Sequence, residues 1–277
     1  MGKVLIDGRY FDKYDAKVSV FDHGFLFGDA VTVGLRIVAG ELPLLDPSLD
    51  RLYAAAARIA LPIPHDRHEL AGLIRDCVAT NERAVGYAQV IVTRGAGMQA
   101  HDPRKCVPTV IVTADDVLPY PNAVIEHGLH VVVARRVRRV DPASDGAMSL
   151  HSLTMVVAKQ EALSAGCLDA ILLDGSGRVT GTIDAGLVLV TGGAIVTPPL
   201  EAGPDPVFLE ALIAQIESGG RAVRRAEVGV EELLAADEVF LAGTVSGVVP
   251  IVRIDGRPVA DGLPGALARE IRPPHLQ

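Results

Sequence analysis

The sequence predicts a mixed α+β protein in two lobes. Three observations predict it. Apolar segments of strand length outnumber those of helix length, and the helices fall among them without the regular alternation of a doubly wound sheet. The stretch Val117-Leu118-Pro119-Tyr120-Pro121-Asn122 breaks the pattern near mid-chain. Its prolines disfavour a helix and favour an extended connector. The expected organisation is a small N-terminal α/β domain over 1–117, a linker over 118–123 and a larger domain over 124–277.

In chain order, Lys3–Asp7 before Gly8 reads as a strand and turn, and Val18–Phe21 as a second short strand. Leu35–Ala39 before Gly40 reads as a strand entering a hairpin. A helix is expected from Asp46 to about Ala60, with Asp46 as N-cap and Pro47 in the first turn. A second runs from about Glu69 to Ala79, followed by strands over Tyr87–Thr93 and Val107–Thr113. Beyond the connector, Leu129–Ala134 is strand-like. Ser149–Ala165 is helical and ends at Gly166, which suits a C-cap. Ala170–Leu173, Leu187–Val190 and Ala194–Thr197 are strands, with turns at Asp174–Gly177 and Gly192-Gly193. Helices are expected over Pro206–Ser218, over Glu231–Ala235 and from Pro264 onward, and strands over Glu238–Ala242 and Ile251–Ile254.

Composition bounds function. The chain has 277 residues, 49% of them hydrophobic and 22% charged, which suits a folded protein with a sizeable core. A formal net charge of −8 disfavours nucleic acid and anionic membranes as partners, since both reward clustered Lys and Arg. The basic run Arg135, Arg136, Arg138, Arg139 is the exception and reads as an exposed or interface edge. Cys77, Cys106 and Cys167 form neither a disulfide framework nor a metal-binding pair, and with no apolar run of membrane-spanning length the expected compartment is the cytoplasm.

Several segments carry a resemblance in order and spacing: Phe21-Asp22-His23-Gly24-Phe25-Leu26-Phe27-Gly28-Asp29, Leu49-Asp50-Arg51-Leu52, Val92-Thr93-Arg94-Gly95, Val156–Ala162 with Ala165-Gly166, Asp169–Asp174, Asp237–Thr244, and Asp255-Gly256 with Asp261–Gly265. Through them the chain resembles the fold-type IV (class IV) pyridoxal phosphate (PLP) aminotransferases and aminodeoxychorismate lyases. The resemblance implies a two-domain, D-amino acid aminotransferase-like fold with a pseudo-barrel in the larger domain, an active-site cavity between the domains, and a homodimer.

The resemblance also marks substitutions. PLP chemistry asks the protein for an amine, a carboxylate at the ring nitrogen and donors for the phosphate. The family's Lys-Ser-x-Asn reads Met148-Ser149-Leu150-His151 here, so methionine stands at the anchoring lysine. Its Glu-Gly-Thr/Ser-x-x-Asn reads Thr180-Gly181-Thr182-Ile183-Asp184-Ala185, and its Gly-(Ile/Val)-Thr-Arg reads Pro206-Val207-Phe208-Leu209. Arg51 and Gly243-Thr244 are retained. The expectation drawn is that no cofactor is used. His151 is then the candidate catalytic acid–base group. Thr32, Arg51, Gln89, Met148, Thr180, Thr244 and Ser246 are the candidate binding residues for a small carboxylate-bearing substrate. Arg51 would grip the carboxylate with its planar fork. Lys159 reads as a surface residue. Three readings stay open: a PLP-independent lyase, isomerase or cyclase; a non-catalytic binding or partner protein; and a PLP-dependent aminotransferase or 4-amino-4-deoxychorismate lyase working without the usual lysine.

Overall fold

The computed structural model describes residues 2–97, 101–116, 120–139, 149–204 and 206–271. The chain divides into two compact units, Met1–Val117 with Met148–His151 and Leu118–Ala147 with Ser152–Gln277. Among the described residues no helix is long and apolar enough to cross a membrane.

The first unit contains β1 (Lys3–Ile6), β2 (Arg9–Asp12), α1 (His23–Phe27), β3 (Ala30–Val38), α2 (Leu45–Arg58), α3 (Arg67–Thr80), β4 (Val85–Thr93) and β5 (Thr109–Asp115). The strands form one antiparallel sheet in the order β2-β1-β5-β4-β3. Alternation sends Val31, Val33, Leu35 and Ile37 of β3 to one face with Ala88, Val90 and Val92 of β4. Helices α2 and α3 cover that face with Leu49, Leu52, Leu70 and Ile74, all fully buried. Each such side chain stabilises the fold by about 1.5–3 kcal/mol. The N-terminus of α3 is fixed by a capping box between Asp66 and Glu69.

The second unit contains α4 (Asn122–His127), β6 (Leu129–Val133), α5 (Leu153–Ser164), β7 (Asp169–Leu173), β8 (Val179–Thr182), β9 (Gly186–Thr191), β10 (Ala194–Thr197), α6 (Val207–Ser218), β11 (Val223–Arg225), α7 (Val230–Leu234), β12 (Glu238–Gly243), β13 (Gly247–Ile254), β14 (Arg257–Pro258) and α8 (Ala266–Glu270). Its mixed sheet runs β11-β10-β9-β12-β13-β6-β7-β8, with β14 on β13. The tight turn Thr182–Ala185 joins β8, at one end of this path, to β9 well inside it, and Thr182 N donates to Ala185 O at 2.8 Å. So short a link requires the sheet to curl, giving the half-barrel of the expected α+β fold.

Several sequence expectations are corrected. Val18–Phe21 is not a strand: Ser19 takes over the local backbone, accepting from Phe21 N through its hydroxyl and from Asp22 N through its carbonyl. The connector prolines do not exclude a helix, because Pro121 is the N-cap of α4, where its missing N–H costs nothing. Helix α2 starts earlier than expected, at Leu45 behind Leu44, and leaves Asp46 in its first turn. Helix α5 starts at Leu153, four residues later than expected at the Ser149 end, and Ser149–His151 group with the first unit through a bridge from Ser149 to Val31. Helix α1 and strands β2, β8 and β11 were not foreseen.

Candidate functional site

In the first unit two of the expected binding residues, Thr32 and Gln89, sit on the sheet face opposite the helices. The register pairs Gly34 with Gln89 and Arg36 with Tyr87, so Thr32, Gly34, Arg36, Tyr87 and Gln89 share that face, all half-buried. Gln89 Nε2 donates to Thr32 Oγ1 at 3.2 Å, and Thr32 Oγ1 donates to Val90 O at 2.9 Å. The two residues are thus brought together. The Tyr87 phenol lies across Gly34: a Cβ there would stand 1.9 Å from its hydroxyl. Burial lowers the Arg36 guanidinium below its ordinary pKa. Sequence reading missed Arg36 and Tyr87, although the alternation Thr32-x-Gly34-x-Arg36 against Tyr87-x-Gln89 is the signal that finds them. Arg51 is half-buried on α2.

The segment Phe21–Asp29 builds the frame beside this face. Asp22 caps α1 by accepting from Gly24 N at 2.7 Å, and Thr93 Oγ1 donates to its other oxygen at 2.8 Å. Asp29 receives Arg94 through both oxygens at 2.9 Å, and Arg94 also donates to the carbonyls of Ile59 and Ala60. Gly28 ends α1 in the left-handed region at φ 68°. The exposed His151 imidazole lies against it, and His151 N donates to Ser149 Oγ at 3.2 Å. Met148 lies outside the described residues.

In the second unit Thr180 is buried on β8, and its hydroxyl donates to Leu172 O at 3.0 Å. Beside it, Thr197, Pro204, Pro206 and Leu209 line a cavity of about 10 Å³, room for roughly one water. Thr244 and Ser246 lie in the turn between β12 and β13. A Cβ on Gly243 would stand 2.8 Å from the Ala185 Cβ and 2.9 Å from Ser246 Oγ, so this turn needs its glycine. Thr244 is 9% exposed.

A polar cluster stands behind the Thr182–Ala185 turn. The Tyr120 hydroxyl donates to Asp169 Oδ2 at 2.7 Å, and Arg139 donates to the carbonyls of Thr182 and Ile183. Burial raises the Asp169 carboxyl above its usual range despite these bonds, and burial together with the Asp169 carboxylate raises the Tyr120 phenol. Asp184 is likewise raised by the surrounding protein and by Asp169, although its side chain reaches solvent. Lys159 is not a simple surface residue: it is half-buried and donates to Leu168 O. Among the described residues no three His, Cys, Asp or Glu side chains stand together to hold a metal ion.

The sequence profile described as amino-transferase class IV matches residues 32–254. The chain belongs to this family. A Methanocaldococcus jannaschii protein provisionally named a branched-chain-amino-acid aminotransferase is 33% identical to this class IV chain over 274 residues, covering 98% of it and 94% of the relative. The crystal structure of 4-amino-4-deoxychorismate lyase from Pseudomonas aeruginosa superposes with a TM-score of 0.83 at 31% identity, covering 97% of this chain and 96% of that one. A "T.th." branched-chain amino acid aminotransferase with pyridoxamine 5'-phosphate superposes with a TM-score of 0.90 at 25% identity, over 98% and 92% of the two chains.

These relatives overturn the expectation of no cofactor, since the class IV family points to PLP. The expectation treated loss of a covalent anchor as loss of binding, whereas phosphate and ring contacts are made independently of that bond. The class IV chain fits the group in part. The turn between β12 and β13 offers the Thr244 and Ser246 hydroxyls to an anion. Thr180 does not suit the ring nitrogen as a charged partner, because its neutral hydroxyl is already spent on Leu172 O.

Proposed function

We propose that this chain is a PLP-class aminotransferase or 4-amino-4-deoxychorismate lyase-type enzyme that holds its cofactor by non-covalent contacts, with Met148 in place of an anchoring lysine. The observation that carries the reading is the class IV profile match over residues 32–254, within which Arg51 and the turn residues Gly243 and Thr244 are retained. When bound, the cofactor supplies an electron-withdrawing ring for chemistry at an amine-bearing carbon.

The chain's own groups then divide the work. Thr244 and Ser246 hold the anionic end, and Thr180 contributes a neutral hydroxyl wall. Thr32 and Gln89, already bonded to each other, present a polar surface to the substrate with Arg36 and Tyr87 alongside. Arg51 takes a carboxylate. His151 moves a proton, its exposed ring being held against Gly28. The working assembly is a homodimer acting on a small carboxylate-bearing metabolite.

The test is titration of the purified protein with pyridoxamine 5'-phosphate, followed by absorbance and fluorescence. Amino acid formed from an added 2-oxo acid is measured alongside. Saturable binding that weakens about tenfold in Thr244→Val, with product formation lost in His151→Ala while binding persists, supports the reading. No saturable binding ends it.

A further inference from the structure

Hydrogen-bond accounting fixes which way round the Gln89 amide sits. The Thr32 hydroxyl has a single proton, which it donates to Val90 O at 2.9 Å. Toward Gln89, 3.2 Å away, the same oxygen can therefore only accept. The Gln89 atom that meets it is Nε2, and Oε1 is turned away from Thr32. Among the described residues no group donates to Oε1, so it is an acceptor open to whatever meets this half-buried face. Its surroundings are neutral. The register sets Gln89 between Gly34 on β3 and Thr113 on β5, and sets Thr32 beside Ile91. The Tyr87 phenol fills the space over Gly34. The charged groups of the face, Arg36 and an Asp115 already paired with Lys13 at 2.6 Å, stand one row further along the strands.

We infer that this face selects a substrate whose side chain ends in a neutral hydrogen-bond donor, such as a carboxamide, over a branched aliphatic side chain of the same shape. The inference rests on the reading above, in which this face meets the substrate, and it names the class of side chain taken. An amide N–H satisfies Gln89 Oε1 as water otherwise would. An isopropyl group in the same volume covers that oxygen and leaves it without a donor, which is the larger penalty. Thr32 takes no part in that contact. It is a positioning residue: with its proton committed to Val90 O, it holds Nε2 against itself and keeps the acceptor outward.

The test uses three achiral acids of nearly one shape. Succinamate ends in a carboxamide, 4-oxopentanoate has a methyl in place of the amide nitrogen, and 4-methylpentanoate ends in an isopropyl group. Each is titrated calorimetrically into the full-length protein as purified. Succinamate is expected to bind at least about tenfold more tightly than either of the others. In Thr32→Val, a near-isosteric change, the amide is free to turn over, and the margin over 4-oxopentanoate is expected to fall below about threefold. Thr32→Ser keeps the hydroxyl and should keep the margin, a rescue that a purely structural role for Thr32 does not explain. Gln89→Met should abolish the margin over both acids. The inference is overturned if 4-oxopentanoate or 4-methylpentanoate binds the wild type as tightly as succinamate, if none of the three binds, or if Thr32→Val keeps the full margin. Pyridoxamine 5'-phosphate, titrated into the same samples, reports on the cofactor reading separately: its failure to bind overturns that reading, while the ranking of the acids decides the inference. The wild-type ranking is decisive even where a variant does not fold.

Discussion

The imidazole of His151 rests on the backbone of Gly28: a side chain added at Gly28 would begin 2.9 Å from both Cε1 and Nε2. Two constraints meet at that glycine, because its φ of 68° also closes α1. Gly28→Ala is expected to cost about 1–2 kcal/mol from the left-handed backbone and, separately, to displace the ring. Urea unfolding measures the first effect, and the His151 imidazole resonances measure the second. Unshifted resonances in a folded variant would show that the ring does not lie there.

Gly34 and Tyr87 offer a test of the opposite kind. The atom that a Cβ on Gly34 meets is the far end of the Tyr87 side chain, 1.9 Å away, and that end can swing aside. Gly34→Ala is therefore expected to change stability by under about 1 kcal/mol while moving the phenol off the strand. Tyr87→Phe keeps the ring and removes the hydroxyl. If both variants bind substrate analogues as the wild type does, this sheet face is not part of the site.

The sequence and the structure part company in an instructive way at this face. The apolar alternation of β3 and β4 was readable because burial against α2 and α3 forces it. Thr32 and Gln89 were singled out by position, and their bond to one another needed the strand register to appear. Arg36 and Tyr87 were invisible for the same reason: they sit opposite each other across strands nearly fifty residues apart in the chain, and no local pattern records a cross-strand pair. Helix α1 was hidden because five residues are too few for a helical period, although Asp22 and Gly28 are its cap residues. The bond that spends the Thr180 hydroxyl on Leu172 O could not be read at all, since the pairing of a buried group is a property of its three-dimensional surroundings.

Asp169 gives a pH dependence whose sign can be worked out. Burial raises its pKa in the folded state above the ordinary carboxylate value, so the native protein binds this proton more tightly than the unfolded chain. The associated stability is complete below the unfolded pKa and is lost as pH rises through the folded one. Asp169→Asn removes that titration while keeping one oxygen to accept from Tyr120. The variant is expected to be less stable than wild type near pH 4, with the gap narrowing or reversing toward pH 7. Denaturant melts at the two pH values decide it, and a gap that widens with pH contradicts the assignment.

Glu238 ties the C-terminal helix to the sheet. Its carboxylate is buried and accepts from Leu267 N at 3.1 Å and Ala268 N at 2.7 Å, acting as the cap that Gly265 cannot supply to α8. Removing a helix cap typically costs about 1 kcal/mol, and more where the freed amides stay buried. Glu238→Ala is expected to lower stability by about 1–3 kcal/mol, with Glu238→Gln milder because an amide oxygen still accepts. Amide exchange should accelerate at 267 and 268 ahead of the rest of the second unit. Exchange that rises uniformly instead would mean that the loss is one of core packing rather than of the cap.

The pair Arg94–Asp29 carries the largest expected single-site effect. Arg94 is 7% exposed, and its guanidinium makes four bonds: two to Asp29 and one each to the carbonyls of Ile59 and Ala60. It therefore ties the end of α1 to the end of α2. Asp29→Ala strands a buried guanidinium and is expected to cost about 3–5 kcal/mol. Arg94→Lys keeps the charge but cannot reproduce the planar fork, so it should also destabilise, by less. Because His23 Nδ1 lies 3.8 Å from Asp29 Oδ2, either change should also shift the His23 ring resonances. A small stability loss in Asp29→Ala, with His23 undisturbed, would show that water already shares this pair and that the frame around Gly28 is held by the Asp22 cap instead.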